Sequence, residues 1–295
     1  MTQITVHSPP SPGRRRRRLD PGQIALHAVL ITLLLLTLYP VFSMVFMSFK
    51  NPLQWLGDRW WLSFPLRIQN YATAWPQIRP YLLNTLIVGG VSTVLLLFLS
   101  SLSAFAFARL HFPGREALYY AVIALLMIPG ILSLVPAFVL YKDLGLLNSL
   151  WTHIMPLAAG GSVFGVFLLR TFFASLPEEL FEAARLDGCN VLQLYWNICI
   201  PLSYPILGTL GVLNLVAAWN AFLWPSVAVQ DDRVQVISVG LLRLTGSLTT
   251  LTGGADAAYG PLFAGYVLAS LPLFLIFIFA SRYYIEGLAS SGLKL

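Results

Sequence analysis

The chain is 295 residues long, 57% hydrophobic and only 10% charged, where a soluble domain carries about a quarter charged residues. So few charges cannot cover a water-facing surface, which excludes an ordinary soluble enzyme or binding domain and implies a polytopic membrane protein. The net charge of +6 is local: without the five arginines Arg14–Arg18 it falls to +1, which argues against a nucleic-acid-binding face and for a basic run that orients a span on the anionic cytoplasmic leaflet.

Residues 1–22, rich in Pro, Ser and Arg, read as a disordered cytoplasmic tail. Residues 23–50 hold the first span. From 24 to 49 there is no Asp, Glu, Lys or Arg, giving about 39 Å of helix against a hydrocarbon core of about 30 Å. No small-residue cleavage site follows, so the span is expected to be retained. Residues 51–80 form an outer loop whose Trp55, Trp60, Trp61 and Trp75 read as an interfacial belt or as packing in a short outer cap. The core, residues 81–281, carries five more charge-free candidates at 81–108, 117–141, 151–169, 202–224 and 259–281. Pro129 and Pro136 are expected to kink the third span. Residues 282–295 form a C-terminal tail.

Six spans put both termini on one side. With the N-terminus inside, the inner segments carry 11 Lys and Arg, Arg14–Arg18 and Lys294 among them, and the outer ones 7, Arg59 among them. The positive-inside rule then places both termini, and the connection between spans four and five, in the cytoplasm. Small residues within the spans, as in Ser100–Ala108 and Gly160–Gly165, suit close helix packing.

Several chemistries are missing. The three lysines, Lys50, Lys142 and Lys294, follow Phe49, Tyr141 and Leu293, so there is no G-K-[ST] and no phosphate-binding loop. No span contains an acid, lysine or arginine for ion coupling. The four histidines make no H-E-x-x-H, which leaves a metal site and a membrane-embedded enzyme without support. Cys189 and Cys199 have neither zinc spacing nor a disulfide framework around them.

The connection "PEELFEAARLDGCN", residues 177–190, holds Glu178, Glu179, Glu182 and Asp187, a third of the chain's acids. Ser175-Leu176-Pro177-Glu178 fits a capping box with proline in the first turn, with Glu178 and Glu179 mainly capping the helix. Gly188 is placed to end it in a left-handed cap. A second amphipathic helix, from about Val191 to Ile198, leads to Pro201 and the fifth span. A structured, half-apolar loop facing water asks for a partner to cover it.

Glu182-Ala183-Ala184, three residues, Gly188, nine residues and Ile198-Cys199-Ile200-Pro201 resemble the EAA motif of ATP-binding-cassette (ABC) importer permeases, E-A-A-x3-G-x9-I-x-L-P, with Ile200 where leucine is usual. The stretches Asn84–Val94, Phe107–Arg115, Gly145–Trp151, Phe164–Gly188, Ala218–Pro225 and Arg282–Leu295 extend the resemblance. It is nearest to the carbohydrate-uptake branch, of the kind represented by the smaller permease of the maltose importer. The tail departs from the more usual glycine-rich ending.

The resemblance implies an all-α, MetI-like type I importer domain of six transmembrane helices in a bacterial or archaeal plasma (inner) membrane. It implies a sugar or oligosaccharide as substrate. The partners it implies are a second permease subunit in a heterodimer, two copies of a cytoplasmic ATPase that bind the ATP and Mg, and an extracytoplasmic solute-binding protein. No cofactor is expected in this chain.

Residues 175–201 would be the coupling loop. Glu182 would pair with a basic residue of the ATPase, with Asp187 the second candidate. Ala183 and Ala184 would let the helix enter a groove, Gly188 would permit the turn, and Ile198, Ile200 and Pro201 would tie the loop to span five. Polar residues in the spans, Asn84, Asn214, Trp219 and Asn220, are candidates for the translocation path; packing and cross-helix bonding are the alternative for them. A non-sugar solute such as a glycerol phosphate ester, or an ion-coupled secondary transporter, are the alternative functions.

Overall fold

The computed structural model describes residues 21–57 and 60–292. The Arg14–Arg18 run, Arg59 and Lys294, which enter the orientation count, lie outside the described residues. Among the described residues every regular element is helical. Four helices are long and apolar enough to cross a bilayer, and two further pairs, each bent at a short break, raise the number of spans to as many as six. By packing the chain divides into Met1–Met44 and Val45–Leu295.

Residues 21–44 of helix α1, Pro21–Ser48, are the described part of the first unit. Thr32, Thr37 and Ser43 each donate to the carbonyl four residues back. Its hydroxyls are thus satisfied within the helix and residues 21–42 present an exposed apolar surface, as a hydrocarbon environment requires.

The second unit is built on α2, Gln69–Arg109, 41 residues long and therefore about 60 Å. It starts twelve residues before the expected span, because Pro76 and Pro80, read as loop, lie inside its first turns. The arms α3, Arg115–Met127, and α4, Gly130–Asp143, meet at 93°. The expected kink is thus nearly a right angle. Ile128, driven extended by the following Pro129 (φ −83°, ψ 116°), makes the corner. Pro136 sits in the first turn of the helix that starts at Leu134, where a missing N–H breaks no intrahelical bond.

Helix α5 is Leu150–Ser175, α6 is Glu178–Leu186, and α7, Val191–Leu202, meets α8, Tyr204–Asn220, at 76°. A short helix at Leu223–Ala228 follows. Helix α9, Ile237–Thr252, lies in a segment expected to be outer loop. Its Ile237, Leu244 and Leu248 are buried against Ile78 and Leu82 of α2 and Leu262 of α10. That last helix, α10, runs from Ala255 to Gly292, so the expected tail continues the sixth span for eleven residues past position 281.

Helices α2 and α5 share the most extensive packing, and small residues set their separation. A Cβ on Gly165 would lie 2.7 Å from Ser100 Cβ and 3.0 Å from Leu210. One turn earlier, a Cβ on Gly161 would lie 2.2 Å from Leu96 Cδ1. Ser100 and Ala104 are themselves fully buried, and Ser100 Oγ donates to Leu96 O at 2.6 Å within its own helix. The expected small-residue seam is present.

Candidate functional site: the α6–α7 loop

Helix α6 begins with Pro177 at the N-cap, which offers no side-chain cap. Ser175 Oγ instead donates to Phe172 O at 2.7 Å, so the expected capping box does not form. The carboxylate of Glu178 is taken by two arginines: Arg109, at the end of α2, and Arg185, one face along the same helix at 3.1 Å. An acid bonded by guanidinium groups has no reason to fold back onto its own helix start.

The end of α6 is as expected. Gly188 has φ +85°. The Cys189 N–H donates to Ala184 O at 2.9 Å and the Gly188 N–H to Arg185 O at 3.1 Å, the two bonds of a Schellman motif. The chain turns directly into α7. There Asn190 and Gln193 exchange side-chain-to-backbone bonds at 2.9 and 2.7 Å, a capping box that the sequence reading missed.

At Tyr195–Cys199 the helix widens to a π turn and the Ile200 N–H reaches Tyr195 O. Pro201 explains this: it has no N–H to give, and its ring crowds the carbonyl four residues back. Ser203 makes the bend into α8, with Oγ donating to Cys199 O at 2.6 Å.

The two short helices have opposite faces. Inward, Phe181, Leu194, Tyr195 and Cys199 join Leu96, Ala104 and Phe105 of α2, Leu169 and Phe173 of α5 and Leu210 of α8 in one buried core. Phe181 is 0% exposed, Tyr195 packs edge-on to Phe105 at 5.4 Å, and its hydroxyl shares a hydrogen bond with Ser101 at 2.7 Å. Ala184, Ile198 and Ile200 are half-buried against the same core. Outward, Glu182, Ala183, Leu186, Asp187 and Gly188 are exposed; so are Leu192 and Trp196, and Leu186 is 89% exposed. Among the described residues Glu179, Glu182 and Asp187 have no ion-pair partner, whereas Glu178 has two. Pro201 is exposed at the junction with α8.

Arg109 is the second feature the sequence reading did not assign to the site. Its side chain is 7% exposed. One terminal nitrogen pairs with Glu178, and the other donates to Phe173 O at 2.6 Å and Leu176 O at 2.7 Å. The guanidinium carbon lies 4.1 Å over the Phe181 ring, within the range of a cation–π contact.

The four span residues are far from this loop in role. Asn214 is buried and donates to Ser92 Oγ at 3.1 Å and Thr93 Oγ1 at 3.0 Å, joining α8 to α2. Asn84 donates to Arg233 O and Gln235 O, both at 2.9 Å, and so pins the segment before α9. Asn220 donates to Val216 O in its own helix, and Trp219 packs half-buried against the core around Ile78. Nearby, His153 is 2% exposed and bonds Val234 O at 3.1 Å through Nε2. It lines a cavity of about 120 Å³ with Trp224 and Pro225.

Such a loop can dock and transmit movement; among the described residues it brings together no nucleophile and base and no group of metal ligands. Residues 97–288 match the family model for the binding-protein-dependent transport system inner membrane component. The chain is 31% identical over 280 residues to the probable ABC transporter permease protein YurM of Bacillus subtilis, covering 95% of this chain and 91% of that protein. It is 32% identical over 269 residues to the diacetylchitobiose uptake system permease protein NgcG of Streptomyces coelicolor, covering 90% and 87%.

In fold it is similar to a crystal structure of a bacterial ABC transporter involved in import of the acidic polysaccharide alginate. The TM-score is 0.80 at 23% identity, over 90% of this chain and 98% of that one. The helical architecture, the loop and the family match agree: the chain is a multi-pass membrane protein of the binding-protein-dependent transport system inner membrane component family.

Proposed function

We propose that this chain is one permease subunit of an ATP-driven importer, forming half of the path for a sugar or oligosaccharide delivered by an extracytoplasmic binding protein. The observation that carries the reading is the two-faced α6–α7 loop. Its inner face is locked into the bundle by Phe181 and Tyr195, and its outer face presents Glu182, Ala183, Leu186 and Gly188 with no ion-pair partner for the acid among the described residues. A small-residue helix with a free carboxylate fits a groove lined by a basic side chain. The occupant is a separate ATPase in two copies, which binds the ATP and Mg that this chain has no phosphate-binding loop to hold. A second permease completes the path. The loop and both termini then face the cytoplasm of a bacterial inner membrane. The sugar assignment is supported by the diacetylchitobiose relative.

Affinity purification of the tagged chain from its native membrane is expected to bring down a second permease and an ATPase, and the Glu182→Lys variant is expected to lose the ATPase while keeping the permease. A wild-type chain that purifies alone and transports under an ion gradient would remove this reading. Uptake assays in proteoliposomes with a panel of oligosaccharides test the substrate class; uptake of a glycerol phosphate ester and of no sugar would replace that part.

A further inference from the structure

Chain connectivity ties the loop to two helices only: α6 follows α5, and α7 leads into α8. Arg109 adds a third. It ends α2, which is separated from the loop by 69 positions of sequence between Arg109 and Glu178. Among the described residues, the hydrogen bonds of its guanidinium all leave its own helix. They go to the Glu178 carboxylate on α6 and to Phe173 O and Leu176 O at the end of α5. Its flat face covers Phe181. The Nε is buried without a hydrogen-bond partner among the described residues, so the two terminal nitrogens carry the polar contacts of the guanidinium.

A guanidinium keeps its charge even when buried, so separating it from Glu178 would leave an uncompensated buried charge. The pair thus links the end of α2 to the start of α6. Glu178 is also the residue that meets the outer side of the loop. Its side chain is 48% exposed, and its second oxygen holds Arg185, which is 46% exposed. Arg185, Glu178 and Arg109 are joined by two ion pairs that run from the exposed side of the loop to α2.

We infer that Arg109 is a positioning residue for energy coupling: through Glu178 it transmits displacement of the loop to α2, in parallel with the covalent route through Pro201 to α8. This rests on the reading that an ATPase docks on the loop. It assigns a function to two residues outside the Glu182–Gly188 and Ile198–Pro201 motif. The test uses the assembled importer in proteoliposomes, with solute uptake and ATP hydrolysis measured in the same vesicles. The readout is solute transported per ATP hydrolysed, which a purely structural contact does not move.

Glu178→Gln keeps the shape and removes the charge from a half-exposed site. It is expected to lower that ratio about tenfold while the ATPase stays in the complex. Glu179→Gln, an exposed acid on the same turn without an ion pair among the described residues, is expected to match the wild type. Arg109→Gln is expected to show the same defect, and the double variant no larger one, since both remove one link.

A wild-type ratio in Glu178→Gln, or an equal fall in Glu178→Gln and Glu179→Gln, overturns the inference. So does a pair of defects that multiply in the double variant. If Arg109→Gln does not fold, the two glutamate variants decide alone. Absence of ATP-driven uptake by the wild-type complex would instead remove the docking reading itself, which separates the two failures.

Discussion

Gly188 shows how much one residue decides. At φ +85° a side chain costs about 1–2 kcal/mol, and the two Schellman bonds that close α6 depend on that conformation. A Cβ there would meet nothing within 4 Å, so the penalty is conformational and not a clash. Gly188→Val is expected to loosen the end of α6 by that amount and leave the rest of the bundle intact. Hydrogen exchange of the amides around Gly188 and Cys189, compared with those of α2, checks this; equal protection in both proteins would contradict it. Glycine at this position was readable from the sequence because a left-handed cap has few other occupants. Arg109 was not. It counted as one positive charge near a membrane boundary, inside the Phe107–Arg115 stretch, and nothing in the local pattern points to a glutamate 69 residues on.

At the scale of elements, the loop is seated on the bundle through Phe181, Leu194, Tyr195 and Cys199. Phe181 is fully buried between α2 and α5. Truncation to alanine removes both its buried surface and the ring beneath Arg109, for about 3–5 kcal/mol of lost stabilisation. Phe181→Ala is expected to release residues 178–202 to proteolysis while the spans remain inserted; a loop as resistant as the wild type would show that Leu194 and Tyr195 suffice. The α2–α5 seam responds to the opposite change. Gly165→Leu places carbon against Ser100 Cβ and Leu210, which a bare Cβ already approaches at 2.7 and 3.0 Å. Overpacking of this kind costs about 1–3 kcal/mol. A lower thermal midpoint in detergent is expected for Gly165→Leu, and an unchanged one would mean that the helices can separate freely.

Which elements could be read follows from the same physics. The charge-free runs identified the spans, and Ser, Gly and Ala identified the seam. Helix α9 was hidden because Arg243 and the run of Ser, Thr and Gly read as solvent-exposed loop. Its apolar positions, Ile237, Leu244 and Leu248, nevertheless fall on one helical face. The beginning of α2 was hidden by Pro76 and Pro80, which local rules take as breakers. In the third span the proline was recognised and the size of its effect was not. The geometry of a corner depends on what packs against each arm, and no single segment contains that information.

The whole molecule is polar in the sense of having two different ends. At one end the loop presents Ala183 and Asp187. At the other, Asn148 accepts from the Gln230 and Asp231 amides at 2.7 and 3.2 Å, and Asn84 and His153 hold the following residues. With the proposed orientation, Ala183→Cys in a Cys189→Ser background is expected to react with a membrane-impermeant maleimide only in inside-out vesicles. Asp231→Cys is expected to react only in right-side-out ones. The reverse labelling pattern would invert the assignment of both ends.

The bend at Ser203 has a mechanical meaning of its own. Its 76° angle makes α7 and α8 the two arms of a bell crank, the part of a machine that turns a push in one direction into a swing across it. The arms, of 12 and 17 residues by their bounds, are about 18 and 25 Å long. A rotation of about 10° at the pivot then sweeps the far end of α8 through about 4 Å, more than the short arm moves at its tip. On the proposed docking of an ATPase, a modest tilt of a surface helix would become a larger sideways displacement at the Asn220 end of α8.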